Sequence, residues 1–193
     1  MNSINRRDFL AGLSGLTIFS LAGCSAGKSP DDAKQNQNME QSDMQLRPHH
    51  ILDIISDHGI GVQYEPHPYG HSLHIVAPKL LANQDLKILL VLHADDICKG
   101  CKHLLPDGSC DDVLGQLEST PSKQAYNDDL DRRLFDYYAI EPGTVMTFRQ
   151  YLEMVNGKVP GIEKICTHPK EDQDERLNGL INGLIKLGVR ATV

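Results

Sequence analysis

The chain has 193 residues, 40% of them hydrophobic and only 5% aromatic, and its 19 basic against 26 acidic side chains give a formal net charge of −7. An acidic chain argues against nucleic acid or an anionic lipid surface as partner, because both are held by basic patches. Internal repeats, a Gly-rich phosphate loop, a Gly-x-Ser-x-Gly elbow and a His-Glu-x-x-His segment are all missing from the sequence, which removes the most recognisable enzyme classes.

The N-terminal segment carries two export signals. Asn5-Arg6-Arg7-Asp8-Phe9-Leu10 resembles a twin-arginine motif, with Asn5 where Ser or Thr is usual. The apolar stretch from Leu10 to Ala22 is diluted by Gly12, Ser14, Gly15 and Ser20, and falls short of the ~20 residues a membrane-spanning helix needs. Leu21-Ala22-Gly23-Cys24 reads as a lipobox. Residues 1–23 are therefore expected to be a signal peptide, cleaved before a lipidated Cys24 that anchors the chain at the membrane of the cell envelope, on the periplasmic side. Loss of Arg6, Arg7 and Asp8 takes the net charge from −7 to −8. Export in the folded state suits a protein whose cofactor is inserted in the cytoplasm. Residues 24–45, polar with a Gln/Asn run from Gln35 to Asn38, read as a disordered tether. Residues 46–193 are one domain's worth of chain.

Within that domain, Pro48 suits the first position of a helix and Gly59 the position just past its end, with Ile51, Leu52, Ile54 and Ile55 as the apolar face. Residues 69–82 fit either a strand, through alternating Leu73, Ile75 and Ala77, or a helix bent at Pro78. Leu86 to Leu92 is apolar apart from Lys87 and reads as a buried strand. Asp128 to Tyr138 reads as a helix with acids in its first turn, where the dipole favours them. Thr147-Phe148-Arg149-Gln150 is a capping box opening a helix that ends at Asn156-Gly157. Leu177, Leu180, Ile181, Leu184 and Ile185 mark a last helix over about 172–187. The sum is an α+β, mostly helical single domain with a small sheet.

Four cysteines lie in the domain. Cys98-Lys99-Gly100-Cys101 is a C-x-x-C, Cys110 follows a Pro106-Asp107-Gly108 turn that folds the chain back, and Cys166 comes from a distant segment. A tight C-x-x-C loop points two sulfurs the same way, and the other two complete four ligands. Three chemistries share this pattern: an iron–sulfur cluster, a structural zinc, and a pair of disulfides formed in an oxidising compartment.

The histidines extend the candidate site. His49 and His50 occupy the first turn of the first helix, where the positive dipole end disfavours a protonated ring. Asp53, four residues on, can orient His49, and Arg47 is a candidate anion contact. His67, His71 and His74, spaced four and three apart, share a face if their segment is helical, which is a pattern for a second metal site.

Leu46-Arg47-Pro48-His49-His50-Ile51-Leu52, Asp95-Asp96-Ile97-Cys98-Lys99-Gly100-Cys101, Gly108-Ser109-Cys110, Asp131-Arg132-Arg133 and the Pro-Gly-Thr turn at Gly143 together resemble an uncharacterised family of iron–sulfur binding proteins, domain of unknown function 1284. The resemblance runs from Leu46 to about His168 and implies cluster binding without naming a reaction. Two departures stand out. Asp53 occupies a place where the family usually has cysteine, and only Cys166, followed by Thr167-His168-Pro169, remains of a C-terminal C-x-x-C. Asp53 and His168 are thus candidate replacement ligands, with His49 and His50 as auxiliary or outer-shell groups.

The expected function is a lipid-anchored envelope protein binding one iron–sulfur cluster through Cys98, Cys101, Cys110 and Cys166. It would transfer electrons to a partner protein or sense redox state, rather than turn over a substrate. The alternative is a zinc- or disulfide-stabilised interaction module, and a third reading is a hydrolase or lyase built on Arg47, His49 and His50.

Overall fold

The structure, a computed structural model, describes residues 37–115, 117, 121–166, 168 and 170–191. The signal peptide with Arg6 and Arg7, the lipobox Cys24 and the first part of the tether lie outside the described residues. The elements are β1 (Met44–Leu46), α1 (Pro48–Ile60), α2 (Leu73–Ala82), β2 (Lys87–Leu90), α3 (Lys123–Tyr138), β3 (Val145–Thr147), α4 (Phe148–Asn156), a 3-10 turn (Ile162–Lys164) and α5 (Gln173–Lys186). The α+β expectation holds, with a three-stranded sheet in the order β1-β2-β3.

β2 is the central strand. It pairs parallel to β1, Met44 opposite Ile88 and Leu46 opposite Leu90, and antiparallel to β3, Ile88 opposite Met146. The parallel step needs a long crossover, which α1 and α2 supply. A central strand covered on both faces reads as an unbroken apolar run, and Ile88, Leu89 and Leu90 are buried while Lys87 at the entrance is exposed. β1 extends the ordered domain upstream of Leu46: Met44 is buried, and Gln45 pairs with Leu89. Met44 and Gln45, assigned by composition to the tether, are thus strand residues.

Several helix boundaries follow the local chemistry. Thr147 Oγ1 accepts from the Gln150 backbone at 3.2 Å and Gln150 Oε1 accepts from the Thr147 backbone at 2.8 Å, completing the capping box of α4. Asp172 caps α5 by accepting from Asp174 and Glu175. The ambiguous segment resolves as helix α2, with Pro78 inside it. Two boundaries differ from expectation. α3 opens at Lys123 behind a Ser122 cap, which puts Asp128 and Asp131 in its middle. α1 ends at Gly61, whose φ of 81° is the left-handed conformation that closes a helix, and Gly59 lies inside it.

Gly59 has a packing role instead. A Cβ there would strike the Gly179 carbonyl oxygen, and a Cβ on Gly183 would strike the Ile55 carbonyl oxygen. Glycines on both helices thus allow α1 and α5 to pack backbone against backbone. Beneath them the core is aliphatic, and lacking Trp it takes Phe148 and Tyr151 as its largest fully buried side chains. The Tyr151 hydroxyl, 2.9 Å from the Pro48 carbonyl and 3.0 Å from the Tyr138 hydroxyl, is satisfied inside it. Replacing Gly183 with Ala is expected to destabilise the fold by about 1–3 kcal/mol, because neither backbone can yield without breaking its own helix. Urea unfolding of Gly183→Ala beside an exposed control in open space, Gly115→Ala, measures this; equal midpoints would contradict the close packing.

Candidate functional site

The C-x-x-C loop is built on one buried carboxylate. Asp95 is 4% exposed. Its Oδ1 accepts from the Ile97 and Cys98 backbone at 3.0 and 3.2 Å, and its Oδ2 accepts from the Arg47 backbone at 2.8 Å and from His50 Nδ1 at 2.7 Å. Asp96 fixes the same loop to β1 through the Gln45 backbone at 2.9 Å. The loop then closes tightly, the Cys101 amide donating to the Cys98 carbonyl at 3.0 Å. At its tip Gly100, with φ near 80°, meets Gly70 of the preceding loop so closely that a Cβ on either would lie 2.7–2.8 Å from the other's carbonyl oxygen.

Cys110 returns on a short hairpin. The Leu105 amide donates to Ser109 at 2.8 Å, Gly108 donates to Leu105 at 2.9 Å, and Leu104 bridges Cys110. The Cys110 amide donates to Gln124 Oε1 of α3 at 3.0 Å. Gln124 passes the connection to Asp128 at 2.7 Å, and Asp128 to Arg47 at 2.6 Å. The backbone at both cysteines is therefore tied to Arg47, one through Asp95 and one through α3.

Cys98, Cys101 and Cys110 line one cavity of about 170 Å³, together with His50, His71 and His103. That volume is an order of magnitude more than one water needs. Asp53, Asp112 and Arg47 are also on its wall. Cys166 is not among the lining residues; it is buried against α3, 3.9 Å from the Tyr126 hydroxyl. All four thiols are free. Among the described residues, no three His, Cys, Asp or Glu side chains converge closely enough to hold a metal ion as they stand. The composition of the cavity wall is nonetheless that of a thiophilic site: three thiols and three imidazoles outnumber the carboxylates, and soft and borderline donors suit iron, zinc or copper(I) over magnesium or calcium.

The remaining candidates have other partners. Asp53 pairs with Arg176 at 2.9 Å, and the carboxylate that orients His49 is Asp131, 2.9 Å from its Nδ1, rather than Asp53. Arg47, read as an anion contact, is itself buried, with its guanidinium 2.6 Å from both Asp131 and Asp128. His168 Nδ1 accepts from the Lys170 backbone at 3.1 Å. His67 and His71 stack face to face at 4.3 Å, while His74 lies on α2. Because α2 begins at Leu73, His67 and His71 lie before it, and this trio does not present the shared helical face that spacing suggested.

Charge within the site is sharply partitioned. Burial, and then the neighbouring His50, hold His49 below its ordinary pKa, with its Nδ1 2.9 Å from Asp131. Burial pulls His50 down as well, but the Asp95 carboxylate outweighs it and the net shift is upward. Asp95 and Asp131 resist the upward pull of their own burial and stay below the carboxylate range because of these histidines and Arg47. Burial, reinforced by the negative charge of Asp95, pushes the Cys98 thiol up to about 12.

The model of the family described as "Protein of unknown function (DUF1284)" matches residues 66–170, more than half the chain, and the chain belongs to that family. The matched stretch contains all four domain cysteines and the acids Asp95, Asp128 and Asp131, but not Arg47, His49 or His50. No curated protein and no solved structure matches the chain.

Removing the Asp131 carboxylate strands a buried guanidinium and an amide at the start of α1. Asp131→Ala is expected to cost about 3–5 kcal/mol at neutral pH in urea unfolding. Because a depressed carboxylate contributes fully above its ordinary pKa of 3.8 and loses that contribution as pH falls through its lower folded value, the gap between variant and parent narrows in acid; a constant gap would contradict this origin. In the reduced, metal-free chain, iodoacetamide should label Cys98 far more slowly at pH 8 than in the urea-unfolded chain, since only the thiolate reacts. Asp95→Asn should speed labelling by removing the like charge, and mass spectrometry of the labelled peptide reads both rates.

Proposed function

We propose that this member of the family is a lipid-anchored protein of the cell envelope that holds an iron–sulfur cluster at the three-cysteine cavity and serves electron transfer or redox sensing. The observation that carries this reading is the arrival of Cys98, Cys101 and Cys110, from two turns on either side of a hairpin, on the wall of one cavity. Thiol ligands are needed because a cluster's irons prefer thiolate sulfur, and a cavity is needed because the cluster has to be shielded from water and oxygen. Capture draws the sulfurs together by changes of staggered rotamer on loops whose backbones are already pinned. When bound, the cluster supplies one-electron chemistry; the chain's own residues hold it, exclude solvent and set the surrounding charge.

Arg47, Asp95, Asp131 and the two N-terminal histidines of α1 fit this role as supports. No Ser or Lys stands among the residues of the cavity wall beside a free base, apart from Lys123, whose amine lies 3.0 Å from Asp112. The electron-transfer reading is favoured over turnover at Arg47, His49 and His50, whose guanidinium and Nδ1 atoms are engaged with carboxylates. Export through the twin-arginine route agrees with a cofactor acquired before translocation, and the lipobox with an anchor at Cys24.

Anaerobic purification of the full chain in detergent, followed by iron and acid-labile sulfide analysis and a visible spectrum, tests the proposal. The expected result is a coloured protein with iron and sulfide in near-equal amount, each lost in Cys98→Ser, Cys101→Ser and Cys110→Ser. A colourless protein carrying about one zinc per chain would replace the redox role by a structural one. A chain that binds neither metal, and whose cysteines pair in air, would make the thiols a disulfide staple.

A further inference from the structure

With Cys166 off the cavity wall, a three-thiol site lacks one donor. We infer that the fourth ligand is His50, bound through Nε2 and held in place by Asp95, giving a Cys98–Cys101–Cys110–His50 set. The inference rests on the metal-centre reading above and specifies its donors.

Three observations carry it. First, His50 lines the same cavity as the three thiols. Second, its Nδ1 is 2.7 Å from Asp95 Oδ2, which leaves Nε2 as the ring nitrogen free to meet a metal. A carboxylate on the far nitrogen of a ligating histidine is the recurrent arrangement that fixes the tautomer and the ring plane and makes the metal-facing nitrogen more basic. Third, the other oxygen of the same carboxylate accepts from the Cys98 amide at 3.2 Å. One buried group therefore sets the position of a histidine and of the first cysteine relative to each other. Both Asp95 oxygens are occupied by donors, so its role is to position His50 rather than to bind metal itself.

The other candidates on the wall are less prepared. Asp53 is paired with Arg176. His71 Nδ1 is buried without a hydrogen-bond partner among the described residues, and its ring is stacked on His67. His103 has a comparable pairing, with Asp111 at 2.8 Å, but that carboxylate is half exposed and belongs to the same hairpin as the histidine. It therefore orients the ring only as well as a surface ion pair can.

The test uses zinc alone as the probe, loaded onto the full reduced chain in detergent, with X-ray absorption reading the first shell. The expected shell is three sulfurs at ~2.3 Å and one nitrogen at ~2.0–2.1 Å. His50→Cys should convert it to four sulfurs with zinc retained, a gain that cannot come from misfolding. In the iron-loaded protein the same variant should lower the midpoint potential, since imidazole in place of thiolate raises it. Cys166→Ser should leave the shell unchanged. A nitrogen that persists in His50→Cys assigns the fourth ligand to another histidine and overturns this inference alone. A four-sulfur shell in the parent, lost in Cys166→Ser, does the same. A parent chain that takes up neither zinc nor iron overturns the inference together with the metal-centre reading.

Discussion

The N-terminus of α1 governs the rest of the domain. The first amides of a helix have no intrahelical acceptor, and the side chain at the cap position, Arg47, is a donor that cannot serve. Two carboxylates from elsewhere in the chain fill the gap: Asp95 accepts the Arg47 amide at 2.8 Å and Asp131 the His49 amide at 3.0 Å. Both sit at the positive end of the helix dipole, where anions are favoured. Their charge is then matched by the Arg47 guanidinium and by His50, whose pKa, against the pull of burial, the Asp95 carboxylate raises. A buried cluster of this kind adds little net stability over an apolar equivalent, because desolvation offsets attraction. It is strongly directional, however, and its geometry fixes where β2 hands over to the C-x-x-C loop and where α3 crosses α1.

That constraint reaches the cavity by two routes of different stiffness. On one side, Asp95 is fully engaged and buried, and the Cys98 amide and His50 ring move only with it. On the other, Arg47 reaches Cys110 through Asp128 and Gln124, partly solvated side chains of α3. Cys101 is held mainly by its own tight turn and by the Gly70–Gly100 contact. The cavity therefore has one wall set by a buried carboxylate and another set by partly solvated side chains.

Much of the fold was legible because its signals are local. The Thr147 capping box, the Asp172 cap, the apolar spacing of α5 and the unbroken run of β2 each carry their own explanation within a few residues. β1 and β3 were not legible, because three-residue strands have too little periodicity, and Met44–Leu46 is a strand only because Ile88 to Leu90 offers it an edge. Gly59 was misread for a related reason: a glycine near a helix end signals a stop, and only the distant Gly179 and Gly183 show it to be a crossing point. In the site, Cys98, Cys101 and Cys110 of the set that spacing proposed share the cavity wall while Cys166 lies off it, and the Pro106-Asp107-Gly108 return was evident. The acids that organise them were not. Asp128 and Asp131 looked like first-turn residues of a shorter helix, and the partner of His49 was sought four residues away instead of on α3. The usable hint was the Asp95-Asp96 pair immediately before the C-x-x-C, where two adjacent acids next to thiols are unfavourable unless each has donors to satisfy it.

The raised Cys98 pKa follows from the same scaffold. A carboxylate placed beside a thiol opposes its ionisation, so burial and Asp95 together favour a protonated Cys98. A metal held as proposed would have to displace that proton, since the ligand is the thiolate. The cost of placing Asp95 there is accepted because the same group orients His50 and begins α1. Asp95 is thus unfavourable to a free nucleophilic cysteine, and its place beside Cys98 is explained by the His50 ring and the α1 amide that it holds.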